Sequence, residues 1–183
     1  MSETSQSSRA PRGVSADLND STVTHGNLAF VKLLCDLPIF SGLDVDELDL
    51  VAGLFRRQLI QPDQIVFDRK DMGEEAYVIV RGAVRITLEN GKPIGTFQPG
   101  QIFGELAFLD GETRGATAKA LDPTILLVVN RGEFEDLADS KPNIGRIVYK
   151  NIARELTTRL RRMNAALESA MDSWETAMFR KAD

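Results

Sequence analysis

Cysteine and histidine are almost missing from this chain: Cys35 and His25 are each the sole example among 183 residues. A lone cysteine forms no intrachain disulfide and no cysteine metal cluster. A lone histidine in a polar tail supplies neither a histidine-rich metal site nor the base of a hydrolytic triad. Cys35 falls within the apolar stretch Val31–Leu37 and is expected to be a small buried hydrophobe. No apolar run approaches the roughly 20 residues that span a bilayer. Met1–Gly26 lacks the apolar segment of a secretory signal, so a cytoplasmic location without membrane contact is expected. Positive charge is not in excess either. Lys and Arg number 22 against 27 Asp and Glu, a net charge of −5, which runs against the DNA backbone as the main partner.

What is present suits a soluble globular fold. Hydrophobic residues make up 43% and charged residues 27%, the balance of a chain with a real core, and the length allows one domain with tails. Residues 1–26 are polar and without period, and read as a disordered tail. Asn27–Leu37 shows helical spacing up to Pro38. Asp44 with Glu47 forms a capping-box pattern ahead of Leu48, Val51, Ala52 and Phe55 on one face, a second short helix.

From Gln58 the period changes to two. Leu59–Ile60, Ile65–Phe67 and Ala76–Val80 read as short strands, and Val84, Ile86 and Leu88 alternate with Arg85, Thr87 and Glu89. Asn90-Gly91 is a hairpin signal with Lys92–Phe97 as the return strand, and Pro99-Gly100 marks another turn. Strands resume at Ala116–Ala120 and Thr124–Val129. Glu133–Ala138 reads as a short helix. A long helix follows Pro142, with Leu156, Leu160, Met163, Leu167, Met171, Trp174 and Met178 in a coiled-coil seam. The fold class is therefore α+β: an antiparallel β-roll, a jelly-roll-like barrel, flanked by N-terminal helices and a long C-terminal helix. Residues 27–142 hold the helical lead-in and roll, and 143–180 the long helix.

The chemistry concentrates between Phe103 and Thr117. Gly104 permits a tight turn, and Glu105-Leu106-Ala107 begins a helical turn whose free N–H groups face an anion. Arg114 then opens the next strand beside the small residues Gly115 and Ala116. A guanidinium and N–H groups suit a phosphate, while a carboxylate suits a hydroxyl donor, so the pair implies a phosphorylated sugar. The bland alternative is an Arg114–Glu105 salt bridge closing a turn.

Gly104–Ala107 and Arg114–Thr117 resemble the phosphate-binding cassette of the cyclic-nucleotide-binding domain family, which includes kinase regulatory subunits and the catabolite activator protein. Ile39–Leu43 with Leu48 is similar to that family's N-terminal helices, and Ala76–Gly82 to its central strand and turn. The resemblance implies that Arg114 with the backbone of Ala107 and Gly115 holds the exocyclic phosphate, and that Glu105 and Gly104 hold the ribose 2′-OH. Leu106 and Ala116 complete the ligand-binding set, with no catalytic residue, metal or cofactor. Thr113 stands where proline is common. Lys70 stands where a glycine usually precedes Asp71, which strains the turn if φ is positive. Gly115 lacks the hydroxyl that cGMP-selective members place there, which favours cAMP over cGMP.

The long helix is where that family closes a lid, and Arg159 is the candidate base cap; a solvated arginine is the other reading. Lys150, Arg154, Arg161 and Arg162 read as a solvated flank of the same helix. The helix-start cluster Asp44, Asp46 and Glu47 reads as capping charge, and Asp68, Asp71, Glu74 and Glu75 as a solvated turn without an EF-hand pattern. Gly111 and Gly115 make no P-loop. The expectation is a non-enzymatic cyclic-nucleotide sensor, homodimeric through its C-terminal helix. It would signal to an unidentified effector by repositioning that helix. The 183 residues leave no room for a helix-turn-helix after the helix, so direct DNA binding is not expected. Two rivals stay open: a dimeric scaffold of the same fold that binds no nucleotide, and a cupin-type enzyme, which the lack of a histidine cluster disfavours.

Overall fold

The computed structural model describes residues 28–179, with side chains over 31–174; the reading of residues 1–26 and of His25 lies outside the described residues. Helix α1 (Leu28–Cys35) runs to a 3-10 turn at Pro38–Phe40, and α2 spans Val45–Ala52. Both bonds of the capping box form: Asp44 Oδ1 accepts from the Glu47 N–H at 2.8 Å and Glu47 Oε2 from the Asp44 N–H at 3.1 Å. These bonds satisfy N–H groups that the first helical turn leaves without partners.

Strands β1 (Arg56–Ile60), β2 (Ile65–Phe67), β3 (Glu75–Arg81), β4 (Val84–Thr87), β5 (Pro93–Phe97) and β6 (Ile102–Phe103) follow. Helix α3 (Glu105–Asp110) interrupts them before β7 (Thr117–Ala120) and β8 (Thr124–Asn130). Helix α4 (Arg131–Ser140) leads into α5 (Pro142–Phe179). The strands form two four-stranded sheets, β1-β8-β3-β6 and β2-β7-β4-β5, with every ladder antiparallel. This is a roll of two facing sheets rather than a closed barrel. Leu88 falls beyond β4 and is exposed, so the alternation ends at Ile86.

β3 and β8 are buried on both faces, which is why they read as nearly continuous apolar runs. Tyr77, Ile79, Leu126 and Val128 face the second sheet in one core, with Phe103, Val84 and Ala118. Ala76, Val78, Leu127 and Val129 face the helices in another, with Phe40, Phe108, Phe134 and Ile144. Helix α5 joins the second core through Ile144, Val148 and Ile152. Asn151 pins it further by donating from Nδ2 to Ile39 O and Ser41 O at 3.1 and 2.9 Å.

Cys35 corrects an expectation: it is exposed. The helical stripe that buries Val31 and Leu34 turns it away from the core. Past the half-buried Leu156, the seam residues Leu160, Met163, Leu167, Met171 and Trp174 are all exposed; Met178 lies beyond the described side chains.

Candidate functional site

Gly104 sits between β6 and α3 at φ +76. A Cβ there would lie 2.9 Å from Arg114 Nη1 and 3.0 Å from a Tyr77 ring carbon. Both the left-handed backbone and the close approach demand glycine. The turn sends Glu105 inward, where it is buried, while Leu106 on the next position stays exposed.

Arg114 is placed by its backbone. The Lys70 N–H donates to Arg114 O and the Arg114 N–H donates to Asp71 O, each at 2.8 Å. Lys70 adopts φ +73 to make this turn, so the strain anticipated from its side chain is present. Arg114 itself precedes the strand instead of opening it, since β7 begins at Thr117. Its Nη1 donates to Gly104 O and its Nη2 to Glu75 O, both at 2.7 Å. The guanidinium lies 4.3 Å from the centroid of Phe67, a cation–π contact in a poorly solvated place. Arg114 is only 3% exposed, and its Nε has no hydrogen-bond partner among the described residues. Burial pulls the guanidinium below its ordinary pKa, against the opposing pull of Tyr77 and Glu75.

Glu75 belongs to this support. The sequence pattern puts it in a solvated acidic turn, whereas the structure places it on β3. Its carboxylate takes the Tyr77 hydroxyl at 2.8 Å and pairs with Arg56, while its main-chain oxygen holds Arg114.

Glu105 pairs with Arg159 of α5, not with Arg114. Arg159 Nη1 stands 2.6 Å from Glu105 Oε1, Nη2 donates to Ile102 O at 3.1 Å, and the guanidinium covers the Phe97 ring at 4.6 Å. Burial nevertheless raises the Glu105 pKa, with Arg159 acting against it. Neither the Arg114–Glu105 salt bridge nor the solvated reading of Arg159 describes this arrangement.

These groups surround one cavity of about 290 Å³, near the lower end of the ~300–1,000 Å³ typical of ligand pockets. Gly104, Glu105, Leu106, Ala107, Arg114, Gly115, Ala116 and Arg159 all line it. Phe67, Ile86, Phe97 and Phe103 supply apolar walls, and Ile94 and Met163 extend the lining. Sequence reasoning missed these last six, because alternation marks a strand's inward face without showing where a roll leaves room. A buried guanidinium whose Nε has no partner among the described residues, a buried carboxylate and aromatic walls suit a ligand with an anion, a hydroxyl and a flat apolar part.

The cyclic nucleotide-binding domain model matches residues 57–141, and the chain belongs to the cyclic nucleotide-binding domain family, a regulatory class and not a catalytic one. It is 34% identical over 149 residues to the cyclic AMP receptor protein of Thermus thermophilus, covering 79% of this chain and 66% of that one. It is 26% identical over 141 residues to a cAMP-dependent protein kinase regulatory subunit of Eremothecium gossypii, covering 77% of this chain and 31% of that one. The chain thus spans about two thirds of the first relative and about a third of the second. Among solved structures, the catabolite activator protein of Thermus thermophilus superposes with TM-score 0.62 at 32% identity, over 72% of this chain and 62% of that one. A cyclic nucleotide-binding domain from Methylobacillus flagellatus shares the fold, with TM-score 0.66 at 23% identity over 73% and 77% of the two chains. Among the described residues, no helix is long and apolar enough to cross a membrane, and no cluster of three or more His, Cys, Asp or Glu suits a metal ion.

Proposed function

We propose that the cavity holds a cyclic mononucleotide, cAMP in preference to cGMP, and that the chain is a cytoplasmic, non-enzymatic sensor. The observation that carries this reading is Arg114: a guanidinium buried in the cavity wall, whose Nε is unpartnered and which bonds no carboxylate among the described residues. A buried cation in that condition is matched by an anion. The phosphate sits against Arg114 and the backbone N–H groups of Ala107 and Gly115. The ribose 2′-OH donates to Glu105, whose carboxylate has lone pairs beyond the one that takes Arg159. The base lies against the apolar walls beneath Arg159.

Because Arg159 belongs to α5, a sugar at Glu105 and a base at Phe97 alter what holds the helix. Ligand binding then shifts α5 between two positions by its differential affinity for them. We assign residues 27–142 to ligand binding and 143–180 to the lid and to a parallel homodimer. Calorimetry with cAMP and cGMP tests the reading: saturable binding, tighter for cAMP, is the expected result.

A second reading has its own observation. Both Arg114 Nη groups and one Glu105 oxygen already have protein partners, as in a scaffold that closed its site without ligand. Equal melting temperatures across a panel of cyclic nucleotides favour that scaffold, since a ligand of the native state raises its stability.

A further inference from the structure

Glu75 stands between two arginines. Its carboxylate pairs with Arg56 of β1 and accepts the Tyr77 hydroxyl at 2.8 Å, while its main-chain oxygen accepts from Arg114 Nη2 at 2.7 Å. Arg56 and Tyr77 flank the same β8 residue, Val128, so Arg56 reaches Glu75 over the intervening strand. Alternation along β3 puts Glu75 on the face of Tyr77 and Ile79, which looks toward the second sheet. The Tyr77 ring stacks on Phe103, with centroids 5.1 Å apart, and its centroid lies 5.5 Å from the Arg114 guanidinium. Burial, with the Glu75 charge acting in the same direction, raises the pKa of the Tyr77 hydroxyl. The hydroxyl therefore stays protonated and donates to the carboxylate.

Partners are divided unevenly around Glu75. Arg56 has the carboxylate, whereas Arg114 has only the neutral oxygens of Gly104 and Glu75 among the described residues. Two acids act by their charge on Arg114, and Glu75 acts more strongly than Asp71. Arg56 does not line the cavity, and its side chain is 59% exposed. We infer, on the basis of the cyclic-nucleotide reading, that Arg56 is a positioning residue for the phosphate anchor. It holds the Glu75 carboxylate off Arg114 and so keeps that guanidinium open to the ligand's phosphate. A carboxylate accepts at both oxygens, so a Glu75 freed from Arg56 keeps Tyr77 on one and takes the guanidinium with the other. The exchange is favourable, because a bond from a cation to a carboxylate is stronger than one to a neutral carbonyl. A phosphate must then displace a carboxylate of the protein and meets its negative charge as well.

Calorimetric titration of cAMP into wild type, Arg56→Ala, Arg56→Lys, Glu75→Gln and the Arg56→Ala/Glu75→Gln double variant tests this role. An exposed ion pair contributes little to stability, so the Arg56 variants retain the fold, and circular dichroism verifies it. Arg56→Ala is expected to lower cAMP affinity about tenfold, the scale of a charge-assisted bond that the ligand must displace, reduced by solvent. Arg56→Lys keeps a cation on Glu75 and binds close to wild type. In the Glu75→Gln background the Arg56→Ala loss disappears, because a neutral amide cannot neutralise Arg114, while its oxygen still accepts the Tyr77 hydroxyl. A structural role for Arg56, or a direct pull of its charge on the phosphate, would cost the same in both backgrounds. Unchanged affinity in Arg56→Ala, or an equal loss with and without Glu75→Gln, overturns the inference and leaves the cyclic-nucleotide reading standing. Failure of cAMP to bind wild type overturns both.

Discussion

Arg159, on the long C-terminal helix, reaches the buried carboxylate of Glu105 across 54 residues of sequence, with Nη1 2.6 Å from Oε1. The pair fastens α5 to α3 at the edge of the cavity. Arg159→Ala leaves Glu105 buried without its cation, and such an orphaned group costs about 1–3 kcal/mol. Urea unfolding of Arg159→Ala should show a loss in that range. Adding Glu105→Gln should recover part of it, because the buried charge is then removed. Independent, additive losses would show that the two side chains do not depend on each other.

The same pair makes a pH prediction. Burial raises the folded-state pKa of Glu105 above its ordinary value, so between those two values the native state binds more protons than the unfolded state. Stability from this group therefore rises as pH falls through the window, and is lowest above the folded-state pKa. The stability of wild type relative to Glu105→Gln should increase as pH drops from 7 toward the ordinary glutamate range. Melting temperatures of both proteins across that range check the sign.

Lys70 holds φ +73 while its N–H supports Arg114 O. A left-handed conformation costs a non-glycine residue about 1–2 kcal/mol, and glycine returns part of that gain as backbone entropy. Lys70→Gly should stabilise the fold by about 0.5–1 kcal/mol. A thermal melt showing destabilisation would mean that the Lys70 side chain contributes more than its backbone strain removes.

Leu160, Met163, Leu167, Met171 and Trp174 form a stripe of exposed apolar side chains on α5, each between 55% and 73% exposed. A contiguous stripe of this kind marks an interaction surface, and its spacing suits a second copy of the helix. Light scattering should give a dimer for the wild type and a monomer for Leu160→Glu/Leu167→Glu. A monomeric wild type would contradict the homodimer.

Local signals carried far in this sequence, and long-range ones did not. The capping box at Asp44 and Glu47, the turn at Asn90-Gly91 and the glycine of the Glu105 turn are short patterns with direct backbone consequences, and each forms. The cassette residues reach one cavity because one short segment between Phe103 and Thr117, α3 and the loop after it, carries most of them. Partner choice was not legible. Glu105 takes Arg159 over Arg114, Glu75 leaves the acidic loop to support Arg114, and Asn151 holds Ile39 and Ser41 across more than a hundred residues. Periodicity assigns a residue to a face without fixing what the roll brings opposite it, and the exposure of Cys35 shows that even the face needs the helix register.

Titration of cAMP into wild type and Arg114→Ala tests the central claim most directly. Arg114 is the buried cation of the cavity, and losing its charge-assisted bonds to a cyclic phosphate costs on the order of 3–5 kcal/mol, several hundredfold or more in affinity. Arg114 also holds Gly104 O and Glu75 O, so circular dichroism must show that the variant is folded. Arg114→Lys, which keeps the charge without the planar fork, is expected to fall between the two. A folded Arg114→Ala that binds cAMP as tightly as wild type would contradict the assignment of Arg114 as the phosphate anchor.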